Sequence, residues 1–357
     1  MPNGTNDTHK RRIHAAWRTR ACAAGLCMGA QIFLAGCAVG MPLALSSAWL
    51  AAIPALPFGA WLVMRCHHAL LQPAPAGIRL RIRSFALFAV LLGCAAFALA
   101  SMTGFAAQTL TQQARALWIE TTTLLAAVLC ARSGGTGAAR LCFALRYALP
   151  ALVLGLSVAA LPLRVPSGLF PILGAGAGPL GLAALSMLFG AAPALMLMLP
   201  PPELDEIQAR NEEIPDLRFF LVRVLPGALV GICALFLTSA CTTYESIAQS
   251  SEWGARLRMA AGSQPHEGML QMTLTLAKLM AMLLLSVNML CASQQALSIS
   301  LPRLGSQYAG LTVSAALLSG VLLVQSVYGD RPLLVGAPLI ACIALAAVLP
   351  AGRRPLA

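Results

Sequence analysis

The chain has 357 residues, of which 59% are hydrophobic and only 10% charged, and its mean hydropathy is +0.79. A soluble domain is about 25% charged, so composition excludes a water-soluble globular protein, and the same apolar content excludes intrinsic disorder. The net charge of +12 points to membrane topology, because basic residues stay on the cytoplasmic side of spans; no RNA-binding signature or aromatic-interleaved basic patch suggests a nucleic-acid partner. The expected class is a polytopic membrane protein whose first partner is the lipid bilayer.

Residues 1–20 form a basic stretch with Lys10, Arg11, Arg12, Arg18 and Arg20, expected as a cytoplasmic tail. The apolar run from Ala21 is about twice the length of a signal-peptide h-region, so it is expected to be a retained first span. A span needs about 20 apolar residues, and the uncharged windows divide accordingly. The 44 residues between Arg20 and Arg65 hold two spans hinged near Pro42–Ala48, and the 31 between Arg83 and Arg115 hold a third. Ala116–Ala131, with Glu120 near its outer end, gives a fourth, and Leu141–Leu161 a fifth. The sixth is Pro179–Pro200, the seventh Phe219–Cys241, the eighth Met269–Leu297 with Lys278 inside it, the ninth Leu304–Val327 and the tenth Pro332–Pro350. Ten spans place both termini on one side, and the loops on that side carry 18 Lys and Arg against 5 on the other. That asymmetry predicts cytoplasmic termini. The domain plan is a tail at 1–20, one transmembrane domain at 21–350 with halves at about 21–161 and 179–350, and a short tail at 351–357.

Three connections stand out. Leu163–Pro179 carries Gly174, Gly176 and Gly178, but no strand precedes this GxGxG and no acidic residue follows at the spacing a dinucleotide site needs, so it is expected to be a loop. The segment 203–216 is acidic, through Glu203, Asp205, Glu206, Glu212, Glu213 and Asp216; it suits a solvated linker or a docking surface for a basic partner. Thr242–Gly268 carries Trp253, Arg256 and Arg258 and suits a lid or a lipid-surface helix.

The main functional signal is a pair of helix breakers. The first span has Gly36-Cys37-Ala38-Val39-Gly40 before Pro42, and the sixth has Phe189-Gly190-Ala191-Ala192-Pro193. Proline removes a donor and clashes with the preceding turn; glycine loosens the backbone and exposes its polar groups. Such backbone is tolerated at membrane depth only where it lines a cavity or is buried in protein, and paired breaks in two halves point to a transporter binding site. Gln31 precedes the first break by about one turn and is placed in the same site. Lys278, near mid-depth, is costly unless paired or facing water. Two roles stay open for it: an ammonium that replaces a coupling cation or carries a proton, and a lysine that snorkels or bonds to carbonyls.

The remaining motifs have structural explanations. Gly25–Gly29 and Gly227–Gly231 have the GxxxG spacing of close helix packing. Asn288, Gln294 and Gln295 suit hydrogen bonds between helices. Cys66-His67-His68 sits beside Arg65 at a span end and is expected as an interfacial basic cluster rather than a metal site. The 11 cysteines show no CxxC spacing and are expected as small buried packing residues. No nucleophile–base–acid set and no intramembrane carboxylate pair is visible, so no enzymatic activity, cofactor or metal is expected.

The stretch Leu169-Phe-Pro-Ile-Leu-Gly-Ala-Gly-Ala-Gly-Pro179, then Leu188-Phe189-Gly190, then Pro200 ten residues after that glycine, resembles the spore-germination permeases. These are the B subunits of germinant receptors, within the amino acid–polyamine–organocation superfamily. The break ahead of Pro42 followed by Ala48-Trp49, and the run Arg140–Pro150, are similar to the same family. The resemblance implies an all-α fold of the leucine-transporter type, with two inverted five-helix repeats and broken helices 1 and 6. It also implies a small germinant, often an amino acid, bound at those breaks, with A-type and C-type receptor subunits as partners in the cell membrane or inner spore membrane. The chain departs from the family at Ala191, where the family commonly has Glu, and in its acidic 203–216 loop, which is usually basic. Two other functions are compatible with the residues: an autonomous amino acid or amine transporter coupled to protons or sodium, and a ligand-free scaffold docking through 203–216.

Overall fold

The computed structural model describes residues 3–44, 47–71, 78–109, 125, 135–148, 151, 176–201, 215–240, 267–301 and 312–321, and all regular structure in them is helical. Helix α1 runs from Asn3 to Ala35. The basic stretch is therefore helical from Asn3 onward and continuous with the first span. Ile13, Ala16, Trp17 and Arg20 are buried in it, and the Trp17 indole meets the Phe220 ring edge-on at 5.7 Å.

At Gly36 the first span changes character. Residues Gly36–Gly40 wind as a π-helical turn, and a four-residue helix α2, Met41–Ala44, follows. The hinge expected near Pro42–Ala48 lies between α2 and α3, Ala48–Ala52. A turn at Ile53 and Pro54 leads into α4, Ala55–Leu71. Next come α5, Ile78–Thr109, and α6, Gly135–Leu145. The sixth span is α7, Ala177–Met187, continued by a 3₁₀ segment, Leu188–Met198. Gly176 precedes α7 with φ +83, a left-handed conformation that favours glycine. Then follow α8, Leu217–Ala240, α9, Glu267–Ser300, and α10, Thr312–Val321.

Among the described residues five helical stretches are long and apolar enough to cross a membrane: Ala48–Leu70, Leu80–Ala100, Ala177–Met198, Leu217–Phe236 and Met280–Ser300. They match the second, third, sixth, seventh and eighth expected spans. The expected fourth span, apart from Leu125, and the tenth lie outside the described residues, as do most of the fifth, the flanks of the ninth, and most of the loops at 163–179, 203–216 and 242–268.

The bundle is organised around α1 and the 3₁₀ segment. These two pack on each other, α8 covers another face of α1, and α4 covers another face of the 3₁₀ segment. Helices α5 and α9 form the most extensive pair, and α6 packs against both α1 and α9.

The two GxxxG motifs meet face to face where α1 crosses α8. A Cβ on Gly25 would lie 2.7 Å from the Val224 carbonyl oxygen. One on Gly29 would fall onto the Gly227 carbonyl, one on Gly227 onto the Gly25 carbonyl, and one on Gly231 onto the Gly29 carbonyl. Only hydrogen fits there. In lipid, where helices gain little from hydrophobic exclusion, such backbone-to-backbone approach is what dispersion and Cα–H contacts need.

Candidate solute site

The two interrupted stretches are neighbours in space. The π turn packs against α7 and α3, and a Cβ on Gly40 would sit 3.4 Å from Ala48 Cβ and 3.5 Å from Met187 Sδ. Met187 is the last α-helical residue before the 3₁₀ segment. One turn back along α1, Ile32 fills the notch left by Gly190, where a Cβ would come within 2.6 Å of its Cγ1. Met28 fills the notch at Gly59 of α4, whose other neighbour is Ala191. Gly190 of the sixth span and Gly59 of α4 thus act as sockets for side chains of α1, whereas the π-turn glycines meet α8, α3 and α7.

Neither stretch is unwound into extended chain. The first departs from α geometry by a single π turn, and the sixth tightens into eleven 3₁₀ residues. Runs of 3₁₀ helix beyond three or four residues are uncommon and often mark functional hinges, as π turns do. The sequence explains the switch in the sixth span. Pro193 cannot donate, and its ring would strike the Phe189 carbonyl in an α-helix, while Gly190, Ala191, Ala192 and Ala194 are small enough to be wound tightly. Every residue from Phe189 to Leu199 is buried.

Side chains from three other helices donate to carbonyls of the 3₁₀ segment and of Pro200 beyond it, and the Met196 carbonyl takes them in addition to the Leu199 N–H. Cys66 donates its thiol to the Ala194 carbonyl at 3.7 Å. Arg20 donates Nε and Nη2 to the Met196 carbonyl at 3.3 and 3.1 Å, and Nη2 also to Gln295 Oε1 at 3.2 Å. Gln295 completes the set by donating Nε2 to the Pro200 carbonyl at 2.9 Å. Arg20 is only 3% exposed, so a full charge is buried with carbonyl and amide partners. It faces the C-terminal end of the 3₁₀ segment, where the helix dipole is negative, and this network ties α1, the sixth span and α9 together.

Gln31 is different. It is fully buried, and among the described residues neither Oε1 nor Nε2 has a hydrogen-bond partner. Buried polar groups are nearly always paired, and an unsatisfied one costs about 1–3 kcal/mol. At about 100° per residue on α1, Gln31 falls between Cys27, whose free thiol lies near that of Cys142 of α6, and Met28, which meets α4. It thus faces away from the α8 crossing and toward the interior between α5, α6 and the 3₁₀ segment. Phe189, next to Gly190, packs edge-on against Phe97 of α5 at 5.7 Å, an aromatic wall on the same side.

The expected site residues are placed as follows. Gly36 abuts Leu235 of α8, Cys37 is buried, and Ala191 and Ala192 are fully buried. Ala38 and Val39 lie in the π turn, with side chains outside the described set, and Lys278 lies on α9 with its side chain likewise outside it. Asn288 donates to Cys142 Sγ at 3.1 Å and to the Leu284 carbonyl at 2.8 Å, and Gln295 joins the Arg20 network, so both make the interhelical bonds expected of them. The Cys66-His67-His68 trio splits: Cys66 points at Ala194, His67 packs on Phe220 at 6.0 Å, and His68 is exposed. Arg20, Ile32 and Phe97 carried no sequence signal for the site. Only an arginine flush against an apolar run could have drawn attention to Arg20.

No family model matches the chain, and no curated protein sequence does. Solved structures do. Mhp1, a nucleobase-cation-symport-1 family transporter in a closed conformation with bromovinylhydantoin bound, aligns over 94% of this chain and 76% of its own, at 13% identity and a TM-score of 0.60. A manganese transporter of Eremococcus coleocola in complex with an aromatic bis-isothiourea substituted compound aligns over 98% of this chain and 78% of its own, at 16% identity and a TM-score of 0.50. A mutant of that transporter gives a TM-score of 0.53 at 14% identity over the same shares. At these identities the likeness shows the fold: a multi-pass, all-helical membrane protein of the leucine-transporter-like class of transporter folds.

Proposed function

We propose that this chain is a membrane transporter that binds a small, hydrogen-bonding solute between the π turn of the first span and the 3₁₀ segment of the sixth. The observation that carries the reading is the buried, unpartnered amide of Gln31. It presents one acceptor and one donor edge, which suits a solute with an adjacent donor and acceptor, such as a carboxamide, a ureide or a nucleobase edge. The charged side chains that reach the 3₁₀ segment among the described residues, Arg20 and Arg83, meet its far end at Met196 and Met198, about two turns past Gly190, which favours an uncharged polar group beside Gln31. The hydantoin bound to Mhp1 has chemistry of that kind. Lys278 is the proposed coupling group, standing in for a cation or carrying the proton, and both termini are proposed to be cytoplasmic.

The test is binding of L-glutamine, uracil and hydantoin to purified protein, followed by thermal stabilisation. One of these, or an amino acid from a full panel, is expected to stabilise the wild type. Gln31→Leu is expected to lose at least tenfold in affinity, the cost of a missing pair of hydrogen bonds. Undiminished affinity in Gln31→Leu removes the site. A chain that takes no solute is left as a scaffold docking through its acidic 203–216 segment.

The local likeness of 140–200 and 30–50 to spore-germination permeases supports a second reading, in which binding is signalled to A-type and C-type partner subunits and the solute is an amino acid germinant. Proteoliposomes containing this chain alone separate the two. Uptake without partners supports the autonomous transporter; binding without uptake supports the receptor subunit.

A further inference from the structure

A second, unrelated cluster lies where α1, α6 and α8 meet, on the end of the bundle expected to be cytoplasmic. Arg146, in the turn after α6, lies flat on Phe143 with Cζ 3.7 Å from the ring centroid, and 4.5 Å from that of Tyr147. Arg18 of α1 approaches the same Phe143 ring at 5.4 Å. Arg223 of α8 stands over Phe219 at 5.9 Å. Arg18 and Arg146 share the Phe143 ring, and the Arg223 backbone packs against Gly25 of α1, about two turns along from Arg18, so the three side chains start from neighbouring points of the bundle.

Three features of this cluster are unexplained by packing. It gathers three like charges, and among the described residues no carboxylate meets any of them. Its nitrogen atoms are orphaned: Arg18 Nε, Arg146 Nε and Arg146 Nη1 are shielded from solvent and have no hydrogen-bond partner among the described residues. Its guanidinium planes are held by aromatic faces, which orients their donor edges without using them. By contrast Arg65, exposed and lying over Trp61 at 5.6 Å, has water to satisfy it.

We infer that Arg18, Arg146 and Arg223 form a binding site for a phosphate-bearing anion, entered from the cytoplasmic membrane surface. Guanidinium groups bind phosphate oxygens through paired, charge-assisted hydrogen bonds. Basic pockets between transmembrane helices on the cytoplasmic side are suited to anionic headgroups. The same chemistry is offered by a lipid headgroup and by free phosphate. The site is separate from the proposed solute site and does not depend on it.

The experiment uses the full chain in micelles and follows its unfolding midpoint. Phosphatidylglycerol is added against phosphatidylcholine, and sodium phosphate against sodium chloride at equal ionic strength. A ligand that binds only the folded state raises the midpoint. The wild type is expected to be raised by phosphatidylglycerol over phosphatidylcholine if the source is a lipid, and by phosphate over chloride if it is soluble. Arg146→Gln and Arg18→Gln are each expected to lose at least half of that rise, Arg146→Lys less, and the Arg65→Gln control none of it. If Arg146→Gln does not fold, the Arg18→Gln and Arg146→Lys pair carries the comparison. Equal midpoints in all four additives overturn the inference, as does a rise that Arg18→Gln and Arg146→Gln keep in full. So does a rise seen only after Glu203, Asp205, Glu206, Glu212 and Glu213 are changed to amides, since the chain's own carboxylates would then be the occupant.

Discussion

Helix α1 has two faces that meet the bundle in opposite ways. On the α8 side, Gly25 and Gly29 interlock with Gly227 and Gly231 so closely that no side chain atom fits between the backbones. On the side of the 3₁₀ segment, Ile32 and Met28 also dock into glycine notches, yet Gln31 is buried beside them with neither polar atom paired among the described residues. Both faces are buried and closely packed, so packing alone does not distinguish a structural contact from a binding surface. Polar accounting does. Among the described residues the first face, at its glycine crossing, leaves no side-chain polar group unsatisfied, and the second holds an amide with no partner.

The largest expected effect strikes the closed face. Gly227→Leu drives a side chain into the Gly25 carbonyl, where backbone rather than a flexible side chain would have to move. A loss of about 3 kcal/mol, the upper end of overpacking costs, is expected, seen as a collapse of the unfolding midpoint in detergent. Gly36→Ala is the internal control. The nearest atoms to its Cβ belong to the Leu235 side chain, which yields more easily than backbone, so about 1 kcal/mol is expected. Equal losses in the two variants would dissolve the contrast.

Next in size is the Arg20 network. Arg20→Ala leaves a cavity and strips Gln295 Oε1 of its donor, while the Met196 carbonyl keeps the Leu199 N–H. About 2–3 kcal/mol of destabilisation is expected from the lost charged hydrogen bonds and the exposed polar groups. Gln295→Leu is expected to cost less, because Arg20 keeps the Met196 carbonyl. The reverse order would mean that Gln295, not Arg20, anchors the end of the sixth span.

The Gln31 face predicts a change of the opposite sign. Gln31→Leu removes two unsatisfied polar atoms and replaces them with a side chain of similar volume, so the solute-free protein is expected to gain about 1–2 kcal/mol. A gain in stability coupled to a loss of binding is what a functional residue held at a cost produces. A loss of stability in Gln31→Leu would show that the amide has partners in the folded protein.

Much of this contrast was legible in the sequence. The GxxxG pairs announced the crossing because small residues four apart have one common use in membranes. The breaks at Gly36–Gly40 and Phe189–Pro193 were visible because proline and glycine act locally on the backbone, and Gln31 was visible because an amide in an apolar run has few other roles. The form of the breaks was not legible. Glycine and proline say that α geometry yields, but whether it loosens to a π turn or tightens to 3₁₀ depends on what packs around it. Here Gly40 lies at ordinary contact distance from Ala48 and Met187, whereas Ile32 presses on Gly190. Arg20 was hidden for the same reason: charge at a span edge looks like a topology signal, and only the fold reveals carbonyls waiting for it.

The smallest and most specific prediction concerns Pro193. An α-helix through Leu188–Met198 would rise about 1.5 Å per residue against about 2.0 Å for 3₁₀, shortening the eleven-residue segment by about 5 Å. Pro193→Ala removes the ring that blocks α geometry at Phe189 and restores a donor. The bonds from Arg20 to Met196 and from Cys66 to Ala194 oppose the shortening, so the net stability change is expected to stay within about 1 kcal/mol. The register of Gly190 against Ile32, and with it the setting of Gln31, is expected to slip in a fraction of molecules. Solute affinity should then fall about tenfold with little change in unfolding midpoint, since a competent state populated at one part in ten weakens apparent binding by that factor. Full affinity in Pro193→Ala would mean that the neighbours of the segment, and not its proline, hold the 3₁₀ winding in place.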